Sequence, residues 1–219
     1  MRRVALDLFC GAGGATLGLQ QAGFDVVGVD IEAQPNYPGD FIQGDVATLP
    51  VSVMDFDFVW ASPPCQRFSI GTYSRGRKAP MDYPDWIPLT REVLSQHPYT
   101  CIENVPQAPL RQSIILTGDM FGLQQLRRKR AFELSFFAWQ PAVPKLARGN
   151  YISVTTSMCA TTHFYRRKAE GKKGRPSLWL TKAIMGFPLC FPISYQGIGN
   201  AVAPPMAKYI GDEVMRHLK

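Results

Sequence analysis

The chain has few of the residues that build disulfide frameworks and metal sites. Five cysteines and three histidines are spread over 219 residues, and no two cysteines stand in the CxxC spacing. An odd number of cysteines without that spacing argues against both a disulfide framework and a zinc finger. We therefore expect reduced thiols, no bound metal and a cytoplasmic location, in a bacterium or in a host cell that carries a virus.

Long apolar runs are also missing. No stretch approaches the roughly 20 apolar residues that span a bilayer, and the short run after Arg2 and Arg3 lacks the pattern of a signal peptide. We expect no contact with a membrane. The net charge of +7 favours a polyanionic partner. Basic proteins without such a partner are common, so charge alone does not identify one.

Apolar runs that end on a polar or acidic residue alternate with helical patterns over the first part of the chain. The runs predict strands at residues 4–9, 25–30, 40–45, 57–61, 99–105, 114–116 and 131–134, with helices at 15–22 and 88–96. Alternation of this kind is typical of a doubly wound α/β sheet. The sequence therefore predicts one such domain, long enough to bury its own core.

The alternation stops between residues 135 and 177. That segment contains prolines, a Thr/Ser-rich piece and a basic run, and helical patterns return at 178–188 and 201–218. We predict a catalytic domain made of residues 1–134 and 178–219, interrupted by an insertion at 135–177. Chains of about 40 residues rarely fold by themselves, so we expect the insertion to pack on the domain as an extended flap.

A glycine-rich turn, DLFCGAGG at residues 7–14, follows the first predicted strand. Such a turn lets the backbone approach a ligand, and an acid at the end of the second strand, here Asp30, can accept hydrogen bonds from ribose hydroxyls. The turn lacks the GxGxxG pattern that cradles a pyrophosphate, which suits an adenosine cofactor with a short charged tail, such as S-adenosylmethionine. Asp45 closes the third predicted strand and could accept from an adenine amino group. Each acid alone is as well explained by a solvated loop.

A single cysteine follows a Pro-Pro corner at the end of the fourth predicted strand, in PPCQRFS at residues 63–69. Because proline fixes φ and holds the preceding residue extended, the corner aims Cys65 out of the carboxyl edge of the sheet. A thiolate there can act as a nucleophile, although a small buried hydrophobe is the common role of a cysteine. Glu103, at the exit of the strand at 99–105, could activate an aromatic ring if burial keeps it protonated; the alternative is an ion pair with Arg128 or Arg130.

These segments resemble the DNA cytosine-5 methyltransferase family. The resemblance extends through ENV at 103–105, MFGL at 120–123, RKRAF at 128–132, LTKAIMGFP at 180–188 and GNAVAPP at 199–205, all in the order of the family. It implies a Rossmann-like sheet of the S-adenosylmethionine-dependent methyltransferase type, S-adenosylmethionine as cofactor, and double-stranded DNA as partner of a monomeric enzyme of the restriction-modification kind. It further implies methyl transfer to carbon 5 of a flipped cytosine through a covalent cysteine adduct.

The resemblance also assigns roles to residues. Cys65 would add to carbon 6, Glu103 would bind ring nitrogen 3 and the exocyclic amine, and Arg130 would lie near the carbonyl oxygen, with Arg128 as a second candidate. The cofactor would contact a set drawn from all the motifs: Asp7, Phe9, Gly11, Gly13, Gly14, Asp30, Ile31, Asp45, Pro64, Asn200 and Ala201. Nucleic acid would contact a lid after the cysteine and the basic run of the insertion: Gln66, Arg67, Ser69, Arg75, Arg77, Lys78, Arg166, Arg167 and Lys168.

Two departures from the family pattern leave alternatives open. Leu126 stands where the family has a glutamine, with Gln125 one place earlier, and the insertion is far shorter than the family's separate recognition domain. The same chemistry on RNA resembling tRNA, a binding relative without catalysis, and methylation of free cytosine nucleotides are the alternatives. The presence of both Cys65 and Glu103 argues against the second, and the basic loops argue against the third.

Overall fold

Seven strands and five helices make up the part of the chain that the computed structural model describes, residues 2–69, 82–123, 126, 128–143 and 177–218. The strands are β1 (Arg3–Leu8), β2 (Phe24–Asp30), β3 (Asp40–Gln43), β4 (Phe58–Ala61), β5 (Thr100–Asn104), β6 (Ile114–Thr117) and β7 (Lys129–Leu134). The helices are α1 (Gly14–Gln21), α2 (Ile87–Leu94), α3 (Leu178–Met185), α4 (Tyr195–Asn200) and α5 (Pro204–His217).

All seven strands form one sheet in the order β3-β2-β1-β4-β5-β7-β6. Strands β1 to β5 pair in parallel, whereas β7 runs antiparallel to both β5 and β6. The α/β prediction is confirmed, and the order is that of a doubly wound Rossmann-like sheet. The antiparallel β7 matters for the site, because it brings residues that lie far from β5 in sequence alongside the end of that strand.

Most predicted elements are present, with shifted ends. Strand β3 stops at Gln43, and the Asp45 side chain instead accepts from the Ala47 N–H at 2.9 Å, which caps a short 3-10 turn. The last helix begins at Pro204 rather than at residue 201, since proline suits the first helical turn, where the N–H has no partner. Helix α4 was not predicted; the Ser194 side chain caps it by accepting from Gly197 N.

The sheet is buried on both faces. In β4, Phe58 and Trp60 point into the cluster formed with α1 and α5, whereas Val59 and Ala61 point into the cluster that includes Leu94 of α2. Strands with two covered faces are apolar throughout, which explains the continuous run in β4. No helix within the described residues is long and apolar enough to cross a membrane.

The parallel strands place the candidate site at a single edge. Strands β1, β2, β4 and β5 end at the same edge of the sheet, because each pairs in parallel with its neighbour. The glycine-rich turn, Asp30, the Pro-Pro-Cys corner and Glu103 follow or close these four strands. Ligands of open α/β sheets bind at this edge.

Candidate active site

The loop that carries Cys65 is fixed by a hydrogen bond from the neighbouring strand. The Asn104 side-chain amide donates to the Pro63 carbonyl at 2.9 Å, and the Asn104 oxygen accepts from Val105 N at 2.8 Å. Beyond the corner, the N–H groups of Phe68 and Ser69 both donate to the Cys65 carbonyl, at 3.0 and 2.9 Å. The half-buried cysteine is therefore held on a tight turn at the end of β4.

Glu103 is buried near the end of β5 with only 6% of its surface exposed. Its Oε1 atom lies 2.7 Å from Arg130 Nε, so the two side chains form an ion pair. Within the described residues, this ion pair is the polar contact that Oε1 makes. Register explains the pair: Glu103 lies opposite Phe132 in the antiparallel ladder, and Arg130 is two residues away on the same face.

Burial and neighbouring charges oppose one another in this site. Burial raises the pKa of Glu103, while Arg130, Arg128 and the Ser62 hydroxyl act to lower it. Burial likewise raises the pKa of the Cys65 thiol, against the lowering effect of Arg130. The net direction is upward for both groups, so the protein by itself favours a thiol and retards ionisation of the carboxyl. The arginines supply the positive field that a thiolate requires.

Arg128 connects β7 to the last motif of the chain. Its Nη2 atom donates to the Gly199 carbonyl at 2.6 Å, and the guanidinium is buried. Burial and the nearby Arg130 lower the pKa of Arg128 to about 9. The group is still charged at neutral pH, so two positive charges lie within reach of Glu103.

The glycine-rich turn has the backbone geometry of a ligand cradle. Phe9, Gly11 and Gly13 have positive φ angles of 56°, 48° and 80°. The Gly11 N–H donates to Asp30 Oδ2 at 2.8 Å, and the other Asp30 oxygen accepts from Glu32 N at 3.0 Å. A Cβ atom at Gly11 would meet nothing within 4 Å, so the turn has an open side where a cofactor can approach the backbone. These features fit S-adenosylmethionine.

Asp7 supports the turn from below. It is fully buried, and its Oδ2 atom accepts from Thr16 Oγ1 at 2.7 Å and from the Tyr37 hydroxyl at 3.4 Å. Oδ1 has no hydrogen-bond partner among the described residues. Burial, reinforced by the charge of Asp30, raises the pKa of Asp7 to about 7. Its position suits a support for the turn, beneath the surface that would face a cofactor.

Other predicted cofactor residues surround the same turn. A Cβ at Gly14 would lie 2.8 Å from Ala201 Cβ, which brings the GNAVAPP motif against the first helix. Asn200 is exposed beside it, Ile31 is 65% exposed after β2, and half-buried Pro64 precedes the cysteine. The fold therefore gathers residues from both ends of the chain around the turn.

The predicted nucleic-acid residues divide into two groups. Gln66 is exposed and Ser69 lies on the cysteine turn, while Arg67 Nη1 donates to the Tyr83 carbonyl at 2.7 Å and so links the residues on either side of 70–81. The others lie outside the described residues: Arg75, Arg77, Lys78, Arg166, Arg167 and Lys168. Leu126, in the position of the family's glutamine, is fully buried in the core, and Gln125 is outside the described residues.

Sequence reasoning missed three side chains that organise the site: Ser62, Asn104 and Tyr37. Asn104 is part of the ENV motif. Its amide side chain, next to the Glu103 carboxyl in sequence, was the signal that it could bridge β5 to the neighbouring loop. Tyr37 gave no signal, because its ring covers Gly28 only once β2 and β3 are paired; a Cβ at Gly28 would lie 2.2 Å from Tyr37 Cζ. Within the described residues, no cluster of three or more metal-ligating side chains occurs.

Comparison with known proteins identifies the motifs as those of one family. The model of the C-5 cytosine-specific DNA methylase family matches residues 4–113, which is about half of the chain and includes the glycine-rich turn, Cys65 and Glu103. The type II methyltransferase M.AplI of Arthrospira platensis is 30% identical over 106 residues, 43% of this chain and 28% of that protein. The match thus spans little more than a quarter of the length of this relative.

Solved structures share the fold at low sequence identity. One, described as a DNA modification methyltransferase encoded within a prophage of E. coli, superposes with a TM-score of 0.64 at 16% identity, over 98% of this chain and 99% of that one. The S. pombe Dnmt2 methyltransferase superposes with a TM-score of 0.62 at 16% identity over the whole of both chains. The chain therefore shares its overall fold with these methyltransferase structures.

Proposed function

Because the chain belongs to the C-5 cytosine-specific DNA methylase family, we propose that it transfers a methyl group from S-adenosylmethionine to carbon 5 of cytosine in DNA, through a covalent adduct with Cys65. The observation that carries the proposal is the meeting of Cys65 and Glu103 at neighbouring strand ends. Asn104 ties the two together by its hydrogen bond to Pro63, and Arg130 lies against Glu103.

The chemistry requires an activated ring, because carbon 5 of cytosine is a poor nucleophile. Cys65 loses its proton to solvent, and its thiolate forms a bond to carbon 6, which transfers electron density to carbon 5. Glu103 binds ring nitrogen 3 and the exocyclic amine, and its raised pKa suits a carboxyl that donates a proton to nitrogen 3. Arg130, and Arg128 behind it, stabilise charge that develops at the ring oxygen.

Bound S-adenosylmethionine supplies an electrophilic methyl group. The open side of the Gly11 turn and the exposed side chains after β2 would hold it near Cys65. After transfer, a base takes the carbon 5 proton, and water is one candidate for that base. Nitrogen 3 returns its proton to Glu103, and the bond between sulfur and carbon 6 breaks. Cys65 is thereby regenerated as a thiolate, so the enzyme turns over.

The target base must leave its stack, which costs a few kcal/mol that phosphate contacts offset. The positive net charge supports a polyanionic substrate. DNA is the substrate we propose, and RNA is the alternative that the first experiment has to distinguish.

The test is transfer of labelled methyl from S-adenosylmethionine to duplex DNA, tRNA and free cytidine nucleotide in parallel. We expect label in the duplex, and none after Cys65→Ser, with folding and cofactor binding retained. The exposed Cys190 offers a matched control, and Cys190→Ser should transfer methyl normally.

Duplex DNA with 5-fluorocytosine should trap the wild type covalently, since fluorine cannot leave as a proton. An active enzyme that forms no adduct would falsify the covalent mechanism, and label in tRNA alone would move the substrate to RNA.

A further inference from the structure

Ser62 occupies a position that the proposed reaction does not yet use. It follows β4 directly and its N–H donates to the Leu8 carbonyl at 3.0 Å. The parallel ladder pairs Trp60 with Cys101 and Ala61 with Ile102, so the next residues in register are Ser62 and Glu103. Residues paired in a parallel ladder point to the same face, which places the Ser62 and Glu103 side chains together at the strand exits.

The Ser62 hydroxyl connects two buried groups. Its oxygen accepts from the Trp60 indole N–H at 2.8 Å. Trp60 is fully buried, so that N–H needs an acceptor, and Ser62 supplies it. A hydroxyl has one proton to donate. With its oxygen occupied by Trp60, Ser62 has its proton available for an acceptor on the same face, and Glu103 is the carboxyl that the strand register places there.

The other described groups around Glu103 are either charged side chains or weak hydrogen-bond donors. Arg130 of β7 forms an ion pair with Oε1 at 2.7 Å, and Arg128 contributes charge from the segment before β7. Cys65 faces Glu103 from the loop after β4, and Cys101 lies on the same strand. Both are weak donors compared with a hydroxyl. Ser62 is therefore the neutral hydroxyl donor that the described site offers to this carboxyl.

We propose that Ser62 is a positioning residue: the chain of hydrogen bonds from Trp60 through Ser62 holds the Glu103 carboxyl in one orientation and sets its ionisation. The inference rests on the proposed role of Glu103 in binding the cytosine ring. It predicts that Ser62 governs how Glu103 titrates even in the protein alone, before any substrate is bound.

The experiment is a carbon NMR titration of protein labelled at glutamate carboxyls, without cofactor or nucleic acid, with Glu103 assigned by Glu103→Gln. In Ser62→Ala the Glu103 midpoint should move up by about one pH unit, because a hydrogen bond to a charged group is removed. Ser62→Thr retains the hydroxyl and should titrate as the wild type does. Ser135 is a matched control, since its hydroxyl bonds to the backbone beside the other end of β5, and Ser135→Ala should leave the midpoint in place.

A second signal reports the chain of hydrogen bonds directly. The Trp60 indole N–H resonance, assigned by Trp60→Phe, should follow the Glu103 titration in the wild type and stop following it in Ser62→Ala. An unchanged midpoint in Ser62→Ala, a shift shared by Ser135→Ala, or a shift that persists in Ser62→Thr would overturn the proposal.

Kinetics separate this proposal from the proposed function. With a methyl-accepting substrate, Ser62→Ala should lower the plateau kcat about tenfold, because the carboxyl loses its fixed orientation, with little change in KM for S-adenosylmethionine. The pH limb absent from Glu103→Gln should move to higher pH. If the wild type transfers no methyl to any substrate but the titration shift is present, the proposed function fails and the hydrogen-bond chain stands. If methyl transfer proceeds and the Ser62→Ala titration and kcat are those of the wild type, the role of Ser62 fails alone.

Discussion

Single residues in this site are held in environments that oppose their ordinary ionisation. Asp7, Cys65 and Glu103 all have their pKa raised by burial, and in each case hydrogen bonds or positive charges act in the other direction. Acids and nucleophiles of active sites are commonly held in such opposing environments. Asp7 differs from the other two because it supports the turn and is expected to touch no substrate. Its raised pKa should therefore affect the free energy of unfolding.

Asp7→Asn should remove a pH dependence of folding. The folded pKa of Asp7 is about 7, against an ordinary value of 3.8, so the folded chain binds this proton more tightly than the unfolded chain does. Stability from this group is present at low pH and declines as pH rises from about 4 to about 7. Over that range the wild type should lose up to about 4 kcal/mol relative to Asp7→Asn.

Urea unfolding at a series of pH values measures this difference. The exposed Asp55→Asn is a control and should keep the pH dependence of the wild type. Parallel stability curves for the wild type and Asp7→Asn would mean that Asp7 is not the buried acid described.

At the scale of secondary-structure elements, the first and last helices of the chain pack without space between their backbones. Helices α1 and α5 meet at Gly18, where an added Cβ would lie 2.2 Å from the Pro204 carbonyl oxygen and 2.7 Å from Ala207 Cβ. At Gly14, at the start of α1, an added Cβ would lie 2.5 Å from the Val202 carbonyl oxygen. This packing fixes the glycine-rich turn relative to Asn200, so the cofactor side of the site depends on the glycines.

Gly18→Ala should destabilise the protein although alanine is the better helix former. The intrinsic gain of about 1 kcal/mol is outweighed by overpacking against a backbone atom, for a net loss of about 1–3 kcal/mol. Thermal and urea unfolding test the sign. Gln21→Ala, at an exposed position of the same helix, should be neutral or slightly stabilising. Ala207→Gly should restore little of the loss, since the nearest obstacle is the Pro204 carbonyl. A more stable Gly18→Ala protein would show that the helices separate freely.

At the scale of the whole molecule, the chain is basic, and we predict that its seven-stranded sheet is combined with a short insertion at residues 135–177. The net charge is +7, and the basic run Arg166, Arg167 and Lys168 lies in the insertion, outside the described residues. Specific DNA interfaces bury about 1,000–2,500 Å² of protein surface. We expect an insertion this short to form no core of its own and to offer few rigid side chains that read bases, so we predict a short or degenerate target site.

Replacing Arg166, Arg167 and Lys168 together by alanine should weaken binding to all DNA sequences alike. The slope of log affinity against log salt should flatten by about 0.9 for each phosphate that the variant no longer neutralises. Fluorescence anisotropy over a salt series measures the slope, and base-resolution mapping of the methylated product defines the site. An unchanged slope, or a long and strictly defined site, would place recognition elsewhere, with the loop after Cys65 as the next segment to test.

The sequence by itself determined the succession of strands along the chain, most of the helices, and the motifs. Apolar runs that end on Asp30 and Glu103 identified the strand ends, and Pro-Pro before Cys65 identified the corner, because these signals act between neighbours in the chain. The family and the fold class followed from them and are confirmed. The roles of the individual site residues stay predictions, to be tested by the experiments above.

Only the tertiary structure decided which side chains meet. The ion pair of Glu103 with Arg130 exists because β7 runs antiparallel beside β5, and the meeting of Ser62 with Glu103 exists because β4 and β5 pair in register. Tyr37 reaches Asp7 and covers Gly28 for the same kind of reason. Strand order and register depend on burying both faces of the sheet at once, a condition on the whole chain that no local pattern contains.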